Sequence, residues 1–393
     1  MQEVKQKILS VNNGYSEIDD YLREQKARNI LWVHGKSAEN LLIGKYLKNL
    51  PSRLKIQVHS FVEFHPNPSY ESVVAGVKAF HEHDCDMIVA VGGGSAMDVA
   101  KCILLYENMD ATTNYLRQVI CPNDIPFLAI PTTAGTGSEA TRYAVIYYKG
   151  RKQSVTHERC VPNAVCFDPS TLATLPAYQK KSGMLDAVCH AIESWWSVNS
   201  TEESRTYSKS ALEKIIVHCS AYLDGDRFAA DQMMQAANLA GKAINITQTT
   251  AGHAMSYGLT HMYGISHGHA AALCNSVLWP YMEENIDICC DPRGAKWVES
   301  VLQDIGTVLK KITAGGSSFF LDFLKEQNLE FPTGTREEIE RLAKTVNPER
   351  LKNHPMHLQE ETLKTLYRKI LQEHMWVGEE NAFSRRVCSY HKH

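Results

Sequence analysis

The chain has 393 residues, more than twice a typical ~150-residue domain, which points to two domains and leaves room for an enclosed cleft. Apolar residues make up 44% and charged residues 22%, an ordinary globular composition that excludes general disorder. Lys plus Arg total 41 against 44 for Asp plus Glu, a net charge of -3, so no global field draws the chain to nucleic acid or to an anionic membrane.

The first residues, Met1 to Gln6, are polar and lack the apolar core of a secretory signal, and no apolar run reaches the ~18 residues of a spanning helix, so a cytoplasmic protein is expected. Eleven cysteines are scattered with no CxxC pair, which reads as reduced thiols. Cys388 stands too far from the last residue, His393, to form a prenylation box.

In chain order, the apolar run Asn29–Val33 predicts a first strand, followed by Gly35-Lys36-Ser37. Asp86–Val91 predicts a second, and Pro126–Ile130 a third. Helix-like polar stretches lie between them, and this alternation argues for βα units and a parallel sheet, with ligands where the strands end. After the second strand come Gly92-Gly93-Gly94-Ser95 and then Ala96–Lys101, with the composition of a helix start. Glycines let the backbone approach a ligand closely, and the helix N-terminus offers N–H groups and positive dipole to a pyrophosphate. Met97 stands where the GxGxxG fingerprint would place its third glycine, so the loop is a variant of that device. After the third strand, Thr132, Thr133 and Thr136 supply hydroxyls suited to ribose and phosphate.

Pro169 and Pro176 punctuate the stretch where the texture changes, and from about Tyr178 the spacing is helical almost to the end. The expected division is an α/β dinucleotide-binding domain over 1–178 and an all-helical domain over 179–393. Asp186 and His190 lie four residues apart in a helical segment and project from one face. His253 and His267 flank a stretch with Gly258, Gly264 and Gly268, where the chain could turn and bring both imidazoles to one point. One carboxylate and three imidazoles suit Fe(II) or Zn(II) and leave room for a substrate oxygen.

At these residues the sequence resembles the iron-dependent (group III) alcohol dehydrogenase family over nearly its full length. The matching motifs are Phe64-His65-Pro66-Asn67-Pro68, Gly92–Lys101, Pro131–Glu139, Asp186–Glu193 and the fourteen-residue step from His253 to His267-Gly268. The resemblance implies the dehydroquinate synthase-like fold, with a nucleotide-binding α/β domain, a helical domain and one divalent metal in the cleft between them. It also implies aldehyde reduction or alcohol oxidation by hydride transfer at a nicotinamide, and a homodimer. Carried over position by position, Asp186, His190, His253 and His267 look like the metal ligands. Asn67, Gly93, Gly94, Ser95, Asp98, Thr132, Thr133 and Thr136 look like cofactor contacts, and Lys152 falls where the family has a lysine near cofactor and substrate.

Two positions depart from the family pattern. Many members carry a histidine for proton relay four residues after the third ligand, where this chain has Tyr257, a poor base at neutral pH with an unperturbed pKa of ~10. Tyr257 itself, His269 and His261 are the candidates for that role. NAD-preferring members often place an aspartate after the first strand, where Gly35 and Lys36 stand here, which favours NADPH and leaves NADH open.

The runs Gly252–Thr260, His267-Gly268-His269 and Val346–Pro355 resemble the phosphonoacetaldehyde reductase branch, whose product is 2-hydroxyethylphosphonate. A phosphonate dianion needs fixed positive charge, and Arg350, assisted by His269 or Lys152, is the expected partner. The alternatives are a general short-chain alcohol dehydrogenase, a metal-dependent lyase of the dehydroquinate synthase type, and a nucleotide-binding protein without activity. The run of reductase-like motifs counts against the second. All four ligand positions are filled, which counts against the third.

Overall fold

Strands that read as continuous apolar runs are covered on both faces, because a strand with one wet face would alternate. That holds for β4 (Met87–Gly92) and β5 (Phe127–Pro131), in which every residue is buried, and nearly so for β2 (Asn29–His34). In the computed structural model, which describes residues 6–12, 14–310 and 316–371, these strands join β1 (Lys7–Ser10), β3 (Gln57–Phe61) and β8 (Ala164–Phe167). The expectations for Met1–Lys5, for Cys388 and for the end of the second domain lie outside the described residues.

The six strands form one parallel sheet in the order β1-β8-β5-β4-β2-β3. Ile30 and Trp32 of β2 face one side, where α1 (Ser16–Glu24), α2 (Leu42–Lys48) and α3 (Leu50–Leu54) bury Ile18, Leu22, Ile43 and Leu50. Leu31 and Val33 face the other, against α4 (Tyr70–Glu82) and α5 (Gly94–Tyr106). The sheet is therefore doubly wound, and its carboxyl edge collects the loops after β2, β4 and β5.

The apolar-run reading passed over one element. β6 (Tyr143–Tyr148) and β7 (Arg151–Thr156) form an antiparallel hairpin, turned by Lys149 and Gly150, both at positive φ. β6 is a run of apolar and aromatic residues but is buried only at alternate positions, because one face is covered, and β7 is largely polar.

From residue 177 the described chain is helical, apart from an isolated bridge between Cys289 and Met356. The helices are α6 (Ala177–Trp196), α7 (Glu202–Leu223), α8 (Arg227–Thr247), α9 (Ala251–Tyr263), α10 (His267–Glu284), α11 (Ala295–Leu309), α12 (Phe319–Glu326), α13 (Arg336–Thr345), α14 (Pro348–Leu351) and α15 (Glu360–Ile370). Residues Met184–Trp196 of α6 are all buried, so this helix is the axis of the bundle. Thr201 and Thr335 start α7 and α13 with capping boxes.

The two halves meet at glycines. Gly137 has φ +57, and a Cβ there would lie 2.5 Å from the carbonyl oxygen of Ala237 on α8. This close approach presses the loop after β5 onto the bundle and sets the cofactor-type loop beside α6. No described helix is long and apolar enough to cross a membrane. The ten cysteines among the described residues are all unpaired.

Candidate metal centre and cofactor cleft

Helical periodicity puts Asp186, His190 and Glu193 of α6 on one face, at steps of four and three residues. α9 ends at Gly264, whose φ of +68 turns the chain so that α10 begins at His267. Of the three glycines read as turning points, only Gly264 turns. Gly268 instead lets α10 lie on α6, since a Cβ there would be 2.1 Å from the Ser182 carbonyl oxygen, and Gly258 packs in mid-helix against Leu342.

The result is a cluster in which ligand atoms of Asp186, His253 and His267 lie within 4.8 Å of one another. His190 adjoins it, with Nε2 4.0 Å from Asp186 Oδ1 and its ring stacked on His253 at 4.5 Å. Asp186 Oδ1 and His253 Nε2 face each other at 3.4 Å, and both are buried atoms without a hydrogen-bond partner. Orphaned polar atoms in a protein interior are costly, and a divalent cation between them satisfies both. The donor set fits Fe(II) or Zn(II).

Glu193 sits behind the cluster and organises it. Its Oε1 accepts from His253 Nδ1 at 2.6 Å and from Asn275 Nδ2 at 2.9 Å. Its Oε2 accepts from the Thr250 backbone N–H at 2.7 Å and from the Thr250 hydroxyl at 2.9 Å. With Nδ1 protonated toward Glu193, the lone pair of His253 Nε2 points at the cluster. Burial opposes charge throughout the site, lowering the pKa of His190 to about 4. At Glu193 the charge of His253, with the bonds from His253, Asn275 and Thr250, outweighs burial and keeps the carboxyl below its usual range. Glu193 was visible in the sequence as the i+7 partner of Asp186, a signal that the ligand reading left unused.

Tyr257 stacks on His267 with ring centres 5.1 Å apart. Lys152 of the hairpin places Nζ 3.5 Å from the centre of the Tyr257 ring, and Arg350 Nη1 donates to the Tyr257 hydroxyl at 3.1 Å. Burial works against ionisation of Tyr257, yet the charges of Lys152 and Arg350 bring its pKa below the usual phenol value. Among the described residues neither cation has a carboxylate ion-pair partner.

The cluster opens into a cleft of about 840 Å³. Asn67, Gly94, Ser95, Asp98, Thr136, Lys152, Tyr257 and Arg350 line it, as do the four expected ligands. Gly93, Thr132 and Thr133 are not among the lining residues but adjoin Gly94 and each other: Thr132 N–H donates to the Gly92 carbonyl at 3.0 Å, and a Cβ on Gly93 would lie 3.3 Å from Thr133 Cγ2. Gly35 and Lys36 follow β2, whose His34 is in register with Val91 of β4, so they lie at the same sheet edge. Lys36 is exposed and makes no ion pair among the described residues.

Asp98 is held by Ser138, whose hydroxyl donates at 3.3 Å, and burial raises its pKa to about 6. Sequence reasoning missed the buried Lys101 beside it, whose Nζ donates to the carbonyls of Ser138, Thr141 and Tyr143 at 2.6, 2.9 and 2.7 Å and ties down the loop under the cleft.

One expected residue is misplaced. His269 is not in the cleft: as the third residue of α10 it points away from His267, is 1% exposed, and bonds through Nδ1 to the Tyr178 hydroxyl at 3.1 Å. Two residues along a helix differ by about 200° in direction, so a ligand at 267 excludes 269 from the same site. His261, by contrast, lines the cleft.

A doubly wound nucleotide-type sheet facing a helical bundle with a carboxylate and three imidazoles in the cleft is the architecture of a metal-dependent dehydrogenase. The chain matches the family models described as "Iron-containing alcohol dehydrogenase" over residues 5–169 and "Fe-containing alcohol dehydrogenase family, C-terminal" over 180–371. It belongs to the iron-containing alcohol dehydrogenase family, and is an iron- and NAD(P)-dependent alcohol/aldehyde oxidoreductase. It is 34% identical over 266 residues to a phosphonoacetaldehyde reductase of Streptomyces viridochromogenes, covering 63% of this chain and 67% of that protein. It is 31% identical over 275 residues to alcohol dehydrogenase 4 of Saccharomyces cerevisiae, covering 68% and 71%. An iron-containing alcohol dehydrogenase of Thermotoga maritima superposes with a TM-score of 0.78 at 28% identity, over 93% of this chain and 98% of that one.

Proposed function

We propose that this protein is an NADPH-preferring reductase of a small anionic aldehyde, with phosphonoacetaldehyde reduced to 2-hydroxyethylphosphonate. The observation that carries this reading is the convergence of Lys152 and Arg350 on Tyr257 beside the ligand cluster, two cations with no carboxylate ion-pair partner among the described residues. A phosphonate supplies the missing negative charge, and the Arg fork matches its oxygens. The similarity to a phosphonoacetaldehyde reductase supports the same substrate class.

In this reading Asp186, His190, His253 and His267 hold the metal, with Fe(II) preferred and Zn(II) accepted by the same donors. When bound, the metal supplies Lewis-acid polarisation of the carbonyl and the nicotinamide supplies hydride. Glu193 fixes the His253 tautomer, and Tyr257 holds the proton at Oη, with its acidity set by Lys152 and Arg350. Gly93, Gly94, Ser95, Thr132, Thr133 and Thr136 cradle the dinucleotide phosphates, Asn67 and Asp98 flank them, and Gly35 with Lys36 accepts the 2′-phosphate. The division at residue 178, a cytoplasmic location and a homodimer belong to the same proposal, on the resemblance described above.

The deciding experiment is anaerobic NADPH oxidation by iron-loaded enzyme, comparing phosphonoacetaldehyde with acetaldehyde and butyraldehyde, in wild type and Arg350→Ala. The expected kcat/KM advantage of the phosphonate is about a hundredfold, or ~2.7 kcal/mol of transition-state binding, and Arg350→Ala removes most of it through KM. Equal use of the uncharged aldehydes by wild type returns the protein to the general short-chain alcohol dehydrogenases.

A further inference from the structure

α8 ends at Gln248, a non-glycine residue with φ +60 and ψ 177. That backbone region is populated almost entirely by glycine, and residues other than glycine persist there when their surroundings over-determine them, most often at functional sites. The surroundings here do so: Gln248 N–H donates to the Ile244 carbonyl at 2.8 Å, and the Thr247 hydroxyl donates to the Gln248 carbonyl at 2.8 Å. Gln248, an exposed residue, lines the cleft that holds the ligand cluster and Arg350.

Which end of its carboxamide is left free is fixed by a relay of amides. Asn199 Nδ2 reaches the Thr247 carbonyl at 3.5 Å and Asn353 Oδ1 at 2.9 Å. Asn353 Nδ2 in turn donates to the Thr249 carbonyl at 3.2 Å and to Gln248 Oε1 at 3.2 Å. Backbone carbonyls only accept, so Thr247 and Thr249 orient both asparagines, and Gln248 must accept through Oε1. Its Nε2 then remains as a donor, with no hydrogen-bond acceptor among the described residues. Asn353 lies three residues beyond Arg350, so one short segment sets both the Arg350 fork and the Gln248 amide.

We infer that Gln248 is a specificity-determining residue: its Nε2 donates to the anionic headgroup of the substrate opposite Arg350, and the left-handed backbone is what aims it there. This rests on the anionic-aldehyde reading above. It adds a neutral donor that shares the headgroup oxygens with the guanidinium, which suits a tetrahedral oxyanion presenting oxygens in more than one direction.

The test uses the full-length iron-loaded enzyme with NADPH and the ratio of kcat/KM for phosphonoacetaldehyde to that for acetaldehyde. Gln248→Gly is expected to lower this ratio about tenfold, through KM for the phosphonate, while Tm stays level or rises because glycine adopts the backbone without strain. Gln248→Glu keeps an acceptor for Asn353 and places negative charge at the headgroup, so its ratio is expected to fall further than that of Gln248→Gly. A ratio within twofold of wild type in Gln248→Gly, or a Gln248→Glu ratio no lower than that of Gln248→Gly, overturns the assignment while leaving the anionic reading intact. A lower Tm in Gln248→Gly overturns the strain argument. A wild-type ratio near one removes both the anionic reading and this one.

Discussion

In the proposed reading, the two walls of the cleft recognise their ligands by different physics. The sheet wall works through backbone: Gly92–Gly94 and the loop after β5 offer N–H groups and small hydroxyls, and side-chain identity matters mainly by being small. The helical wall works through side chains from α6, α9 and α10, and it leaves buried atoms such as Asp186 Oδ1 and His253 Nε2 without protein partners. A backbone cradle is complete as folded, whereas a side-chain cage is complete only with its ion. The helical wall should therefore be the more sensitive to loss of one support, and the sheet wall to changes of charge and shape.

The largest effect expected from this contrast is at Glu193. Glu193→Ala leaves His253 Nδ1 and the Thr250 N–H unpaired and frees the imidazole to turn, so iron affinity should fall by about 10- to 100-fold, with NADPH binding much less affected. Iron content after dialysis, set against coenzyme titration, measures both. Equal losses of metal and coenzyme would break the comparison by showing that the walls are not separable.

On the sheet wall, Lys36→Glu replaces an exposed cation at the end of β2 with an anion facing the proposed 2′-phosphate. The kcat/KM ratio of NADPH to NADH should drop by about tenfold, from the loss of one charge-assisted contact worth ~1.5 kcal/mol. Iron content should not change, and an unaltered coenzyme ratio would place the 2′-phosphate elsewhere.

The smallest effect concerns stability. Burial raises the Asp98 pKa to about 6, above its unfolded value near 3.8, so the folded state holds the proton more tightly than the unfolded chain. Stability attributable to this group is full below pH ~4 and is lost as pH rises through about 6. Asp98→Asn should lack that loss, so its Tm relative to wild type should climb between pH 4 and 7. A flat difference would mean that Asp98 ionises freely in the fold.

β2, β4 and β5 were readable within a residue or so because burial on both faces forces continuous apolar runs. The β6–β7 hairpin was not: β6 is an apolar run, but its partner β7, which carries Lys152, is polar along most of its length and gives no strand signal of its own. His269 read as a candidate because it neighbours His267 in sequence, and helix geometry then sent it to Tyr178.

The glycine loop, the small-residue loop after β5 and the same-face pair Asp186 and His190 follow from local pattern alone, because in each the spacing implies the geometry. Long-range packing is what brings Arg350 to Tyr257 across 93 residues, Asn353 to Gln248 across 105, and Glu193 to His253 and Asn275. Those contacts join segments whose separation along the chain carries no periodic signal. Their geometry is set by the packing of whole helices, which fixes direction and distance only once the core has formed.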